Sequence, residues 1–138
     1  MNKLIGVFAL GNDEDEEIKK KLNLVKNGTF DSYADWFTAT GIDILEGRCV
    51  YSDVAVLDGV SQIISAIIVG RTYHLKYEIT DLSYGWINAV LGNSDVGIVV
   101  GNYVGVFEGD LVAQSQVLYF EAGGISTLKI DNVELYII

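Results

Sequence analysis

The chain has 138 residues, half of them apolar and a fifth charged, which suits one globular domain large enough to bury a core. Nineteen acidic against nine basic residues leave a net charge of −10, which argues against bare phosphate backbones and anionic membrane surfaces, since both need clustered Lys and Arg. A single cysteine, Cys49, and a single histidine, His74, exclude an internal disulfide and a Cys/His zinc cluster.

The apolar run Leu4 to Leu10 meets Asp13-Glu14-Asp15-Glu16-Glu17 without a small-residue cleavage site. It therefore reads as part of the mature protein and not as a signal peptide. No stretch approaches the ~20 apolar residues of a membrane helix. Residues 12 to 21 carry helix signals, with Asn12 as the cap, acids in the first turn and Lys19, Lys20 and Lys21 in the last. Asp15–Lys19, Glu16–Lys20 and Glu17–Lys21 are spaced i,i+4, each pair contributing about 0.2–0.5 kcal/mol. Residues 1 to 21 are thus expected to form an N-terminal arm with one short acidic helix, and residues 22 to 138 a separate module. Leu4, Ile5, Val7, Phe8 and Leu10 are too apolar to stay solvated. They are the expected partner-binding residues, docking by strand addition on an edge strand, in preference that of a neighbouring subunit.

Beyond Leu22 the periodicity changes. Asn27-Gly28 reads as a tight turn. Tyr73, Leu75, Tyr77 and Ile79 alternate with Thr72, His74, Lys76 and Glu78, the period of a half-buried strand. Gly70-Arg71 is the turn that leads out of the apolar run Ile63 to Val69. Trp86 to Leu91 alternates again and closes at Gly92-Asn93, while Val96 to Val100 and Tyr103 to Phe107 flank Gly101-Asn102, the pattern of a two-residue hairpin. Ser115 to Glu121 and Thr127 to Ile137 complete the series. Short strands with turns between them and no intervening helices predict an all-β fold, an antiparallel sandwich or barrel.

Three stretches carry a family resemblance. Asn23-Leu24-Val25-Lys26-Asn27-Gly28-Thr29-Phe30-Asp31 with Asp35-Trp36 is the first, Gly59-Val60-Ser61-Gln62 to Gly70-Arg71-Thr72-Tyr73-His74-Leu75 the second, and Leu128-Lys129-Ile130-Asp131-Asn132-Val133-Glu134-Leu135 the third. In this order they resemble the jelly-roll modules related to carbohydrate-binding modules of xylanases and glucanases. Modules of this kind also occur in bacteriophage virion proteins, where many serve assembly or surface attachment. The resemblance implies an antiparallel jelly-roll β-sandwich, with Trp36 in its core. It transfers architecture more readily than activity.

Such modules bind sugars by stacking exposed rings on pyranose faces beside polar groups. Tyr84 and Trp86, with Asn88 on the same face as Trp86, are the candidate carbohydrate ligands; the alternative is ordinary core packing. The resemblance also implies a structural calcium ion near Asp31 and Asp131, with backbone carbonyls supplying most of the six to eight oxygens that calcium takes. The alternative there is a turn aspartate and an exposed strand aspartate. Tyr73 and Tyr77 are expected in the core, Cys49 as a small buried hydrophobe and His74 as a surface residue. Gly97, Gly101 and Gly105 recur on strands without a following helix, so no phosphate loop is implied. No cofactor is required on this reading and no catalytic residues emerge. The expected function is a non-enzymatic structural and interaction protein, an accessory component of a bacteriophage virion that decorates or attaches, with other virion proteins or copies of itself as partners. The alternative is a free carbohydrate-binding module that recognises glycans through surface aromatics.

Overall fold

Alternation of buried and exposed side chains organises the chain into two antiparallel sheets. The computed structural model describes residues 22–92 and 97–138; the helix expected over 12–21, the apolar run Leu4–Leu10 and the start of the strand expected from Val96 lie outside them. Among the described residues the strands are β1 (Ile42–Leu45), β2 (Arg48–Val54), β3 (Gly59–Ile63), β4 (Thr72–Tyr84), β5 (Ile87–Leu91), β6 (Val99–Gly101), β7 (Gly105–Val112), β8 (Val117–Ala122) and β9 (Ser126–Ile137). One sheet has five strands in the order β1-β2-β9-β4-β7, the other four in the order β3-β8-β5-β6. Every pairing is antiparallel. A single apolar cluster draws on both sheets, so they share one core, as in a β-sandwich.

The long strand β4 behaves as its period-two pattern predicts. Tyr73, Leu75, Tyr77 and Ile79 are fully buried, and the residues between them are half-exposed. Cys49 is also buried, and burial pushes its thiol pKa up. Strands β1 and β2 escape the sequence reading because their turn is Glu46-Gly47 rather than an asparagine–glycine pair. Both turn residues have positive φ, 53° and 73°, as a tight hairpin turn requires.

The expected hairpin at Gly101-Asn102 is not formed. Strand β6 pairs with β5 and β7 pairs with β4, so the chain crosses there from one sheet to the other. Gly101 is needed for packing rather than for a turn: a Cβ added to it would lie 2.6 Å from the Tyr77 hydroxyl and 2.8 Å from Ile79. At Asn27-Gly28, in contrast, the chain does turn. Asn27 takes φ 53°, its amide donates to the carbonyls of Ser32 and Ala34, and its side-chain oxygen accepts the Asp31 N–H. Its own carbonyl accepts the indole N–H of Trp36 at 2.8 Å, which seats that ring in the core, stacked on Phe30.

Buried tyrosines tie the two sheets together. The Tyr51 hydroxyl, from β2, donates to the Phe120 carbonyl at 2.5 Å and accepts the Val60 N–H at 3.1 Å. Val60 and Phe120 are register partners on β3 and β8, so the hydroxyl stands between two opposed groups of the other sheet. Tyr77 reaches the Val99 carbonyl beside β5 in the same way, at 2.8 Å. A Tyr51→Phe variant leaves a buried carbonyl and a buried N–H without their partner, and its stability in urea is expected to fall by about 1–3 kcal/mol with the fold retained.

On the outer face of the five-stranded sheet His74 is more than a lone surface residue. Nδ1 meets Asp110 at 2.7 Å and Nε2 meets Glu108 at 2.9 Å, both carboxylates belonging to the edge strand β7. Both contacts are satisfied only when both ring nitrogens carry protons. These hydrogen bonds, that to Asp110 foremost, raise the His74 pKa above its ordinary 6.5. A raised folded-state pKa means that this contribution is complete below pH 6.5 and lost as the pH climbs through the raised value. Urea melts across that window are expected to show stability declining in the native protein and a flatter profile in His74→Gln.

Candidate functional site

The turn from β4 to β5 and the turn from β8 to β9 meet at one end of the sandwich, and Trp86 stands where they meet. Gly85 makes the first turn with φ 89°, and a Cβ there would strike Ser126 Oγ at 2.2 Å. The Trp86 carbonyl accepts the Gly123 N–H at 3.0 Å and the hydroxyl of the fully buried Ser126 at 3.3 Å. The indole lies across Gly123 and Gly124: a Cβ on Gly123 would fall 1.8 Å from Nε1, and one on Gly124 would fall 3.0 Å from the six-membered ring. The residue nevertheless remains 41% exposed. It is a solvent-facing aromatic surface packed on glycine backbone, the form of group that stacks on the apolar face of a sugar.

Asn88, the next outward residue on β5, sits between Glu121 of β8 and Val100 of β6. Trp86 and Asn88 are thus brought to one face, as their spacing implies, with a carboxylate beside them. Partial burial raises the Glu121 pKa. Tyr119, one row further along β8, donates its hydroxyl to the Leu57 carbonyl. Tyr84 is 47% exposed but pairs with Thr127 on the five-stranded sheet, so it borders the patch from the other sheet. The Gly123-Gly124 seat and the Ser126 brace were missed in the sequence. The Gly-Gly pair was their only signal, and it reads equally as a plain turn.

Asp31 and Asp131 lie on the five-stranded side, close enough to interact: burial chiefly, then Glu78 and Asp31 among the nearby charges, raises the Asp131 pKa. Each carboxylate is already engaged, Asp31 by the Thr29 hydroxyl at 2.9 Å and Asp131 by the Asn132 N–H at 2.8 Å. Among the described residues no three His, Cys, Asp or Glu side chains converge on one point. That donor set is short of a calcium cage, so the ion's remaining ligands would have to be backbone carbonyls. Asp31 also lines a polar hollow of about 640 Å³ with Asn23, Lys76, Glu78, Asn132 and Glu134. No exposed ring lines it, so it offers hydrogen bonds without a stacking surface.

Among the described residues no helix is long and apolar enough to cross a membrane. No protein-family model and no curated protein matches the sequence. Solved structures do resemble the fold. The N-terminal CBM22-1–CBM22-2 tandem domain of Paenibacillus barcinonensis Xyn10C superposes with a TM-score of 0.57 at 10% identity, over 87% of this chain and 47% of that one. The enzymatically active domain of tailspike protein 4 from bacteriophage CBA120 gives 0.49 at 17% identity, over 84% of this chain and 21% of that one. The N-terminal cellulose-binding domain of Cellulomonas fimi β-1,4-glucanase C gives 0.48 at 20% identity, over 83% and 96%. The chain therefore spans about a fifth of the tailspike domain and about half of the tandem domain. The likeness to the tandem domain is one of fold, two antiparallel sheets packed over a shared core.

Trp36 is 7% exposed, so iodide quenching of tryptophan emission should report mainly on Trp86. Gly123→Ala is expected to lift the indole from its seat and increase that quenching. An unchanged quenching constant would show that the ring does not rest there.

Proposed function

We propose that the protein is a non-catalytic recognition module that holds a glycan against the Trp86 indole, with Asn88 and Glu121 hydrogen-bonding the sugar hydroxyls and Tyr84 bordering the chain. The observation that carries this reading is the seat of Trp86 on Gly123 and Gly124, which keeps a large ring both exposed and fixed. A ring that is already immobile loses little conformational entropy on stacking. The register partners of Glu121 on the neighbouring strands are Asn88 and Gly59, neither of them a carboxylate. Hydrolysis of a glycoside ordinarily takes a pair of carboxylates.

The resemblance to modules of bacteriophage virion proteins supports an accessory role on a virion, in which glycan recognition serves attachment and other virion proteins or further copies are the partners. Under that reading the protein copurifies with virions and is detected in them by mass spectrometry. Glycan recognition is tested on a glycan array and by affinity electrophoresis. Trp86→Ala is expected to weaken binding about tenfold or more, in line with the 1–3 kcal/mol that base or ring stacking on an aromatic side chain contributes in other systems. Equal retention of native protein and variant on every glycan would defeat the proposal.

A further inference from the structure

The outer faces of the two sheets differ in charge. Among the described residues every ion pair lies on the five-stranded sheet: Arg48 and Lys129 with Asp81, Lys76 with Glu134, and His74 with Asp110 and Glu108. Strands β3, β5, β6 and β8 contain no Lys or Arg, and Glu121 is their only acid. The two remaining described cations stand away from Trp86. Lys26 is bonded through its backbone to Gln62, toward the opposite end of β3. Arg71 is bonded through its backbone to Ile68 and Ala113, past the ends of β3 and β7.

Two acids, in contrast, stand beside the ring. Glu121 is directly opposite Asn88. It is diagonal to Trp86, whose carbonyl accepts the N–H of Gly123 on the same side of β8. Diagonal neighbours across an antiparallel pair are about 7–8 Å apart, comparable with the ~8 Å Debye length of physiological salt. Asp58 approaches from the other side of β8: its carbonyl accepts the Ala122 N–H at 2.8 Å, and the residue is exposed. Both carboxylates act on one hydroxyl, that of Tyr119, whose pKa is raised by burial first and then by the charges of Asp58 and Glu121. A sugar hydroxyl stacked over the indole can donate to Glu121. An acidic substituent at the same place meets two like charges, with no described cation beside them to offset it. We propose that Glu121 and Asp58 set the charge specificity of the Trp86 site, which admits a sugar with uncharged substituents and rejects one that carries a carboxylate, sulfate or phosphate. The inference rests on the reading of Trp86 as a sugar-stacking ring and adds which sugars that ring accepts.

A glycan array of matched pairs, each neutral oligosaccharide printed beside its own sulfated or uronic-acid form, tests it on the full chain. At about 50 mM salt the neutral member of each retained pair is expected to bind about tenfold or more tightly than its acidic partner, and the gap is expected to narrow at about 500 mM salt. Asp58→Asn, at an exposed position, is expected to narrow the gap by strengthening the acidic member alone. Glu121→Gln is expected to narrow it as well, with weaker binding of the neutral member. Glu108→Gln, which removes the same charge from the other sheet, is expected to leave the gap as it is and so separates a local effect from the net charge of the protein. Equal or tighter binding of the acidic members overturns the proposal, as does a gap that neither Asp58→Asn nor Glu121→Gln alters in a folded protein. In either case neutral glycans still held through Trp86 leave the recognition reading intact. Retention of no glycan, or equal retention by Trp86→Ala, defeats that reading and this inference with it.

Discussion

Two sheets that pack face to face must fix their relative position through a core that is otherwise made of interchangeable apolar contacts. Here the fixing falls to tyrosine hydroxyls that cross the core and end on main-chain groups of the opposite sheet. Each such hydroxyl is fully desolvated, and burial raises the pKa of Tyr51 and Tyr77, so each is an obligatory hydrogen-bonding group with one acceptable place to go. Dispersion between Leu, Ile and Val side chains tolerates a small slide of one sheet over the other. A hydroxyl seated between the Val60 N–H and the Phe120 carbonyl does not. Beside that seat β3 and β8 approach closely, and a Cβ on Gly59 would lie 2.1 Å from the Phe120 carbonyl.

The aromatic cluster extends this constraint outward. Tyr77 packs on Phe107 and Phe120, Phe120 on Trp36, and Trp36 on Phe30. Trp36 in turn anchors the loop that Asn27 organises, and that loop borders the edge of the four-stranded sheet. The surface ion pairs of the other sheet add little to stability, since exposed pairs are worth about 0–1 kcal/mol each.

Much of the fold could be read from local pattern. Strand β4 shows its two faces in sequence, Asn27-Gly28 announces its turn, and Trp36 falls where a core ring belongs. The failures have a common cause. Gly101-Asn102 has the composition of a hairpin, yet Gly101 is glycine because Tyr77 and Phe107 press on it, a requirement that arises between sheets and leaves no local mark. Glu46-Gly47 is the reverse case, a true hairpin turn whose residues are unremarkable by local preference. His74 could be placed on a polar face, but not opposite Asp110 and Glu108, whose register on β7 follows from pairing across 34 and 36 residues of chain.

The site divides in the same way. Sequence alone determined that the chain is acidic, lacks the residues for a disulfide or a zinc cluster, folds as β-strands, and presents Trp86 and Asn88 to one face, because side-chain alternation is a property of the strand itself. Only the tertiary structure decided that Trp86 rests on Gly123 and Gly124, that Tyr84 belongs to the other sheet, and that Phe37 pairs its backbone with Ser61 at the edge of β3. Those relations join segments far apart in the chain, and they are set by which strand edges meet and which side chains must share the space between two sheets.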